Sequence, residues 1–276
     1  FILIGLQQTN FPISYTEQNE VIKEYLDLVN KVESKDTDSE EEEENILSMR
    51  SERKMPPRVL PKNFIGPSSY TLQMENINKL EDDETTPNIR NNYTVTDKAD
   101  GFRKLLIVSK GEKKRDERTK GKIYLIDTNM NVQFTGARTD NVNLFGTIID
   151  GDHILHNKQG EFIKLFAAFD IYFVKGTDVR GFYFARETPA QDKEILRLPM
   201  LNNSIRGLDI KPFVRGSVCP LRLEAKQFQI GDGEAIFDAC KTILQKNVDG
   251  LFEYETDGLI FTPASLGVGF DTPGDQ

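Results

Sequence analysis

Cysteine and histidine are nearly missing from this sequence: Cys219 and Cys240 are its two thiols, and His153 and His156 its two imidazoles. With no Cys/His cluster at ligand spacing, neither a disulfide framework nor a zinc site is indicated, and a reducing compartment is expected. No apolar run approaches the roughly 18 residues that cross a bilayer, which excludes a membrane span. Positive charge is in deficit too. The formal net charge is −9, so any contact with nucleic acid has to come from a local basic patch, because the average field repels phosphate.

What is present suits a folded protein with some unstructured sequence: 276 residues, 38% hydrophobic and 29% charged, enough for one large domain or a domain with an appendage. The sequence opens on Phe1 rather than Met and stops at Gln276, and it reads as a fragment of a longer polypeptide. Phe1 to Ile4 lacks the basic flank and the length of a signal peptide.

Three regions are expected. Residues 1–32 carry a helical period at Val21, Ile22, Tyr25, Leu26, Leu28, Val29 and Val32, and read as the tail of a preceding domain. Residues 33–62 form an acidic, proline-containing linker, since the run Glu40 to Glu44 repels itself and buries nothing. From residue 63 onward an ordered domain begins, with a short helix expected from Ser69 to Leu80 and a polar loop from Glu81 to Asn91. Mostly strands follow, including 102–108, 122–126, 147–152, 166–174, 221–228 and 258–261, with helices near 188–200 and 233–246. That order predicts an α+β fold with mainly antiparallel sheets.

The densest chemistry lies at Lys98-Ala99-Asp100-Gly101-Phe102-Arg103, between the strand-like runs Asn92–Asp97 and Leu105–Val108. Lys98 is expected at a strand end facing a pocket. Only a free amine attacks an electrophile, and burial beside a cation such as Arg103 would favour it. Three further clusters sit on apolar strands: Asp150-Gly151-Asp152, Phe169-Asp170 and Asp257-Gly258. Asp152 and Asp257 are candidate ligands for a hard divalent cation, which prefers oxygen and bridges carboxylates to phosphates. Phe169 could offer a flat face to a purine. The rival readings are ordinary hairpin turns for the Asp-Gly pairs and plain core for Phe169. The segment Lys110 to Lys122, rich in Lys and Arg, is either a solvated hairpin loop or an RNA-guiding patch.

Taken in order, these clusters resemble the covalent nucleotidyltransferase superfamily of mRNA capping enzymes and ATP-dependent DNA and RNA ligases. Lys98, Asp100, Gly101 and Arg103 match its Lys-x-Asp-Gly-x-Arg motif. Asp150-Gly151-Asp152 matches an Asp-Gly-Glu motif, with aspartate in place of glutamate, and Phe169-Asp170 and Asp257-Gly258-Leu259-Ile260 match two later ones. The Lys-x-Lys strand of the family has no match before Gln276. Phe64-Ile65-Gly66-Pro67 and Lys226-Gln227-Phe228 resemble segments of capping guanylyltransferases. The likeness is greatest to multifunctional capping enzymes of large DNA viruses.

The resemblance implies a nucleotidyltransferase domain of the ATP-grasp-like, DNA-ligase type, with antiparallel sheets flanking a nucleotide cleft and no C-terminal OB-fold within the chain. It implies that Lys98 takes GMP from GTP and passes it to the 5′-diphosphate end of RNA. Arg103, Phe169, Lys226 and Asp100 would bind nucleotide, with Arg103 on the ribose and Lys226 on guanine O6, and Asp100 also partnering Lys98. Asp152 and Asp257 would hold Mg2+ or Mn2+. Expected partners are GTP, RNA, and a fused or associated RNA triphosphatase and cap methyltransferase. A cytoplasmic viral factory or a virion would be the location if the source is viral. The alternatives are a ligase adenylation domain, with Lys98 accepting AMP, and a non-catalytic docking domain of a capping complex.

Overall fold

A computed structural model of the chain describes residues 10–33, 59–79, 86–110, 121–186 and 195–269. Most of the acidic linker, the basic segment from 111 to 120 and the start of the helix expected at 188–200 lie outside these residues.

Two sheets share the chain. The smaller has three antiparallel strands in the order β10-β1-β11, formed by Gln229–Gly231, Tyr93–Ala99 and Thr256–Pro263. The larger is built from β2 (Phe102–Ser109), β3 (Gly121–Asp127), β4 (Val132–Thr139), β5 (Ile148–His156), β6 (Phe162–Val174), β7 (Thr177–Asp178) and β8 (Lys211–Pro212). Its order is β7-β6-β5-β2-β3-β4-β8, all antiparallel, and β9 (Arg222–Ala225) adds to β6 as the one parallel pair among the described residues. The α+β expectation with mainly antiparallel sheets therefore holds.

Both faces of the large sheet are covered, which explains why its central strands read as continuous apolar runs rather than as alternating ones. Leu106, Val108, Ile123 and Leu125 pack against α2 (Arg197–Leu208) through Leu201 and Leu208. On the opposite face Leu105, Ile107, Tyr124 and Ile126 meet α1 (Tyr15–Glu33) through Val21, Ile22, Tyr25 and Val29. The helix assigned by its period to the tail of a preceding domain thus packs on this sheet. Glu17 fastens it further, accepting from Lys122 Nζ at 2.7 Å and from the Tyr124 hydroxyl at 2.6 Å. The small sheet carries α3 (Ala235–Val248), whose Ile236, Ala239 and Ile243 cover Tyr93 and Val95.

Two helical expectations need correction. Ser69 to Leu80 holds a single 3-10 turn, Met74–Asn76, among its described residues. Its buried Asn76 accepts from the Gln73 amide and donates to Pro87 O, so side-chain bonds take the place of a continued helix. The helix expected at 188–200 runs from Arg197 to Leu208, because Pro199 falls in its first turn, where a missing N–H costs nothing. Among the described residues no helix is long and apolar enough to cross a membrane.

Candidate active site

The chain passes between the two sheets at two of the motifs. Asp100 and Gly101 carry it from β1 into β2, and Lys226 to Phe228 carry it from β9 back to β10. The run 221–228, expected as one strand, holds only β9 at Arg222–Ala225 and then leaves the large sheet, with β10 starting just beyond it at Gln229. Lys98 and Lys226 both lie at the seam.

Lys98 is the penultimate residue of β1 and the exposed one in a strand otherwise buried. Opposite it the ladder slips: Asp97 pairs with Leu259 but Ala99 pairs with Thr256, so Asp257 and Gly258 together oppose Lys98. Gly258 has φ +150°, which glycine tolerates and side-chain-bearing residues rarely adopt. This bulge turns Asp257 onto the lysine, and Lys98 Nζ lies 2.6 Å from Asp257 Oδ2. The expected setting, a buried amine beside Arg103, is not the one found. Lys98 is 46% exposed and its partner is a carboxylate. Nor is that partner Asp100, whose amide donates to Glu255 O.

Lys226 is the buried lysine, with 2% of its side chain exposed. Its Nζ donates to Asp152 Oδ2 at 2.8 Å and to the Asp97 carbonyl at 3.1 Å. The Asp97 carboxylate is 3.6 Å away and accepts in turn from the Tyr254 hydroxyl at 3.0 Å. Burial and the Asp97 charge push that phenol well above its ordinary range. Two of the three Lys226 protons are thus engaged, leaving one for a ligand.

Arg103 is cross-strand from Asp152, but its guanidinium goes to Asp150. Nη2 meets Asp150 Oδ2 at 2.6 Å and Nε meets Oδ1 at 3.2 Å, while the Tyr172 hydroxyl donates to the same carboxylate. Burial pushes the Asp150 carboxyl up to about 6, against the opposing pull of Arg103. A second bulge brings Phe169 in. Asp150 pairs with Asp170 and Gly151 with Ala168, so Phe169 is the extra residue of β6. Its ring lies 5.8 Å from the Arg103 guanidinium and 5.9 Å from Lys226 Nζ. Neither Asp150-Gly151 nor Asp257-Gly258 is a hairpin turn; both lie inside strands.

Through these contacts the seam gathers Lys98, Arg103, Asp152, Phe169, Lys226 and Asp257. Sequence reasoning passed over Asp97, Tyr172 and Tyr254 as site residues, and Asp150 as the partner of Arg103. A signal for Asp150 existed: an aspartate ending the apolar run Thr147-Ile148-Ile149 will be buried and needs a cation.

As to metal, no group of three or more His, Cys, Asp or Glu among the described residues could hold an ion. Asp257 and Asp152 are each salt-bridged to a lysine. An all-protein cage is therefore not what these residues make. A magnesium ion shared between one or two carboxylates and substrate phosphates still fits this donor set. Of the basic residues in this segment, Lys110 and Lys122 are described: the Lys110 amide donates to Glu24 at 3.3 Å, and Lys122 is occupied by Glu17 and the rings of Phe134 and Phe213.

The chain is matched over residues 25–270 by the model of the family described as mRNA capping enzyme, catalytic domain, and it belongs to that family. It is 27% identical over 180 residues to a probable mRNA-capping enzyme of Acanthamoeba polyphaga mimivirus, covering 65% of this chain and 11% of that protein. It is 23% identical over 202 residues to an mRNA-capping enzyme of Danio rerio, covering 72% of this chain and 30% of that protein. The chain thus spans a minor share of either relative. Two solved structures, named Pmar-Lig_PreS3 and Pmar-Lig_Pre., align with 65% and 64% of this chain and 40% of each of theirs. Identities are 15% and 12%, and the TM-score is 0.35 for both.

Proposed function

We propose that this chain is the guanylyltransferase unit of a capping enzyme and that Lys98 carries the GMP. The observation that bears most weight is Lys98 itself, an accessible amine at the seam of two sheets, with a carboxylate at 2.6 Å, in a chain of the capping enzyme family. In the first step Asp257 takes a proton from Nζ, and the freed electron pair attacks the α-phosphorus of GTP. The bond from that phosphorus to the bridging oxygen breaks, and pyrophosphate leaves with the pair. In the second, a terminal oxygen of the RNA 5′-diphosphate attacks the same phosphorus. The proton held by Asp257 returns to Nζ, the N–P bond breaks, and lysine leaves as the amine, giving a 5′-5′ triphosphate linkage.

Each partner has a stated task. Phe169 offers its ring to the guanine, and the remaining Lys226 proton is available for O6. Arg103 keeps one Nη1 hydrogen for the ribose, its other bonds being satisfied within the protein. Asp257 and Asp152 would hold a magnesium or manganese ion, which would offset the negative charge of the triphosphate. An RNA triphosphatase and a cap methyltransferase, fused or associated, would act before and after this step.

Incubation with α-labelled GTP or ATP and magnesium, followed by denaturing electrophoresis, tests the reading. The expected result is an acid-labile, alkali-stable label from GTP, with GTP preferred over ATP by about ten-thousandfold, the scale reached when a site hydrogen-bonds a distinguishing group. Label from ATP alone would mean a ligase adenylation domain. No label from either nucleotide would leave a docking role.

A further inference from the structure

Arg103 is held from two sides, and only one of them belongs to the strands that carry the motifs. On the strand side stand Asp150 and Tyr172. On the other, residues 63–67 cross the guanidinium. Pro67 O accepts from Nη1 at 2.6 Å, and the Phe64 ring lies 5.5 Å from the guanidinium carbon. Gly66 sits so close that a Cβ there would lie 2.6 Å from Nη2 and 2.9 Å from the Tyr172 oxygen, and its φ of +128° is strained for any other residue.

This segment is tied to α1 by one hydroxyl. Tyr25, fully buried, donates to Asn63 O at 2.6 Å and accepts from the Ile65 amide at 2.9 Å. We propose that residues 63–67 are a positioning strap, pinned by Tyr25, that fixes the Arg103 guanidinium for the nucleotide, which makes Tyr25 and Gly66 positioning residues for the reaction. The proposal rests on the reading of Arg103 as a nucleotide-binding group.

The physical case is one of donor count. A guanidinium has five N–H bonds in a rigid plane. Asp150 takes Nε and one hydrogen of Nη2, Pro67 takes one of Nη1, and Tyr172 stands 3.4 Å from Nη2. The remaining Nη1 hydrogen then points in a direction set by the others. Without Pro67 O the plane could tilt about the Asp150 contact. The pin is durable, since burial pushes the Tyr25 phenol up to about 12 and keeps its proton in place at any working pH. It also gives α1 a task in the reaction: a helix on the back of the sheet sets the seam through a strap.

Tyr25→Phe removes the hydroxyl and keeps the ring, so the packing of α1 survives while Asn63 O and the Ile65 amide lose their partner. The first readout needs no ligand: hydrogen exchange of the Arg103 Nε–H by NMR in an arginine-labelled sample of this chain. Exchange should be about tenfold faster in Tyr25→Phe, the scale of one lost hydrogen bond, and faster again in Gly66→Ala. In the labelling reaction the KM for GTP should rise by about tenfold while the limiting rate changes by less than about twofold. Unchanged exchange in Tyr25→Phe would overturn the strap, and so would faster exchange with an unaltered KM. Should the unaltered chain form no adduct, it is the guanylyltransferase reading that fails, and the exchange rates alone decide the strap.

Discussion

Lys98→Ala is expected to reduce the labelled adduct below detection, a loss of at least about a thousandfold, because a covalent route ends when its nucleophile is gone. No neighbour can stand in. Lys226, the other amine at the seam, is 2% exposed and held by Asp152 and the Asp97 carbonyl. Lys98→Arg should fail as fully, since a guanidinium does not give up its proton in the working range. The fold should be indifferent to either change. Lys98 and Asp257 are 46% and 58% exposed, and a solvated pair of this kind is worth about 0–1 kcal/mol. Melting curves of both variants should therefore overlay that of the unaltered chain. Persistence of the label in a folded Lys98→Ala protein would remove Lys98 from the mechanism and direct attention to Lys226.

The motifs were legible because their information is local. A lysine two residues before Asp-Gly, or an aspartate ending an apolar run, is visible without knowing what pairs with it. What surrounds each motif residue is set by registers between distant strands, and that was not visible. The slip opposite Lys98 turns Asp257 into its partner, and the extra residue at Phe169 aims that ring at Arg103 and Lys226. Both are single-residue irregularities that leave no mark on hydrophobic periodicity. The run 221–228 shows the same limit. Four of its residues pair with β6 in parallel, Lys226 to Phe228 leave that sheet, and the next strand, from Gln229, pairs with β1. The α1 period was legible as a helix, but the sequence could not say that its apolar stripe covers the sheet that bears Arg103.

The largest expected effect on stability lies one residue from Phe169. Arg197, 2% exposed, donates to both oxygens of Asp170, at 2.9 and 3.1 Å, and to the carbonyls of Leu266, Phe182 and Arg180. The start of α2, the loop after β7 and the chain beyond β11 thus meet at one guanidinium. Burial raises the Asp170 carboxyl above the usual carboxylate range, with Arg197 the main opposing influence. Arg197→Met keeps much of the apolar stem but leaves a buried carboxyl without its cation and the Phe182 and Leu266 carbonyls without this donor, while Arg180 O still accepts from the Val268 amide. A loss of about 3–5 kcal/mol is expected, read as a fall in melting temperature of roughly 10 °C. Asp170→Asn in the Arg197→Met background should cost little more, because the carboxylate it removes is already unpaired. A full additional loss in the double variant would show that the two side chains act independently. The pair also has a route to the seam, since Asp170 is the cross-strand partner of Asp150, which holds Arg103. At temperatures where Arg197→Met remains folded, an unchanged KM for GTP would confine the Asp170–Arg197 pair to stability, and a raised one would extend the support of Arg103 as far as α2.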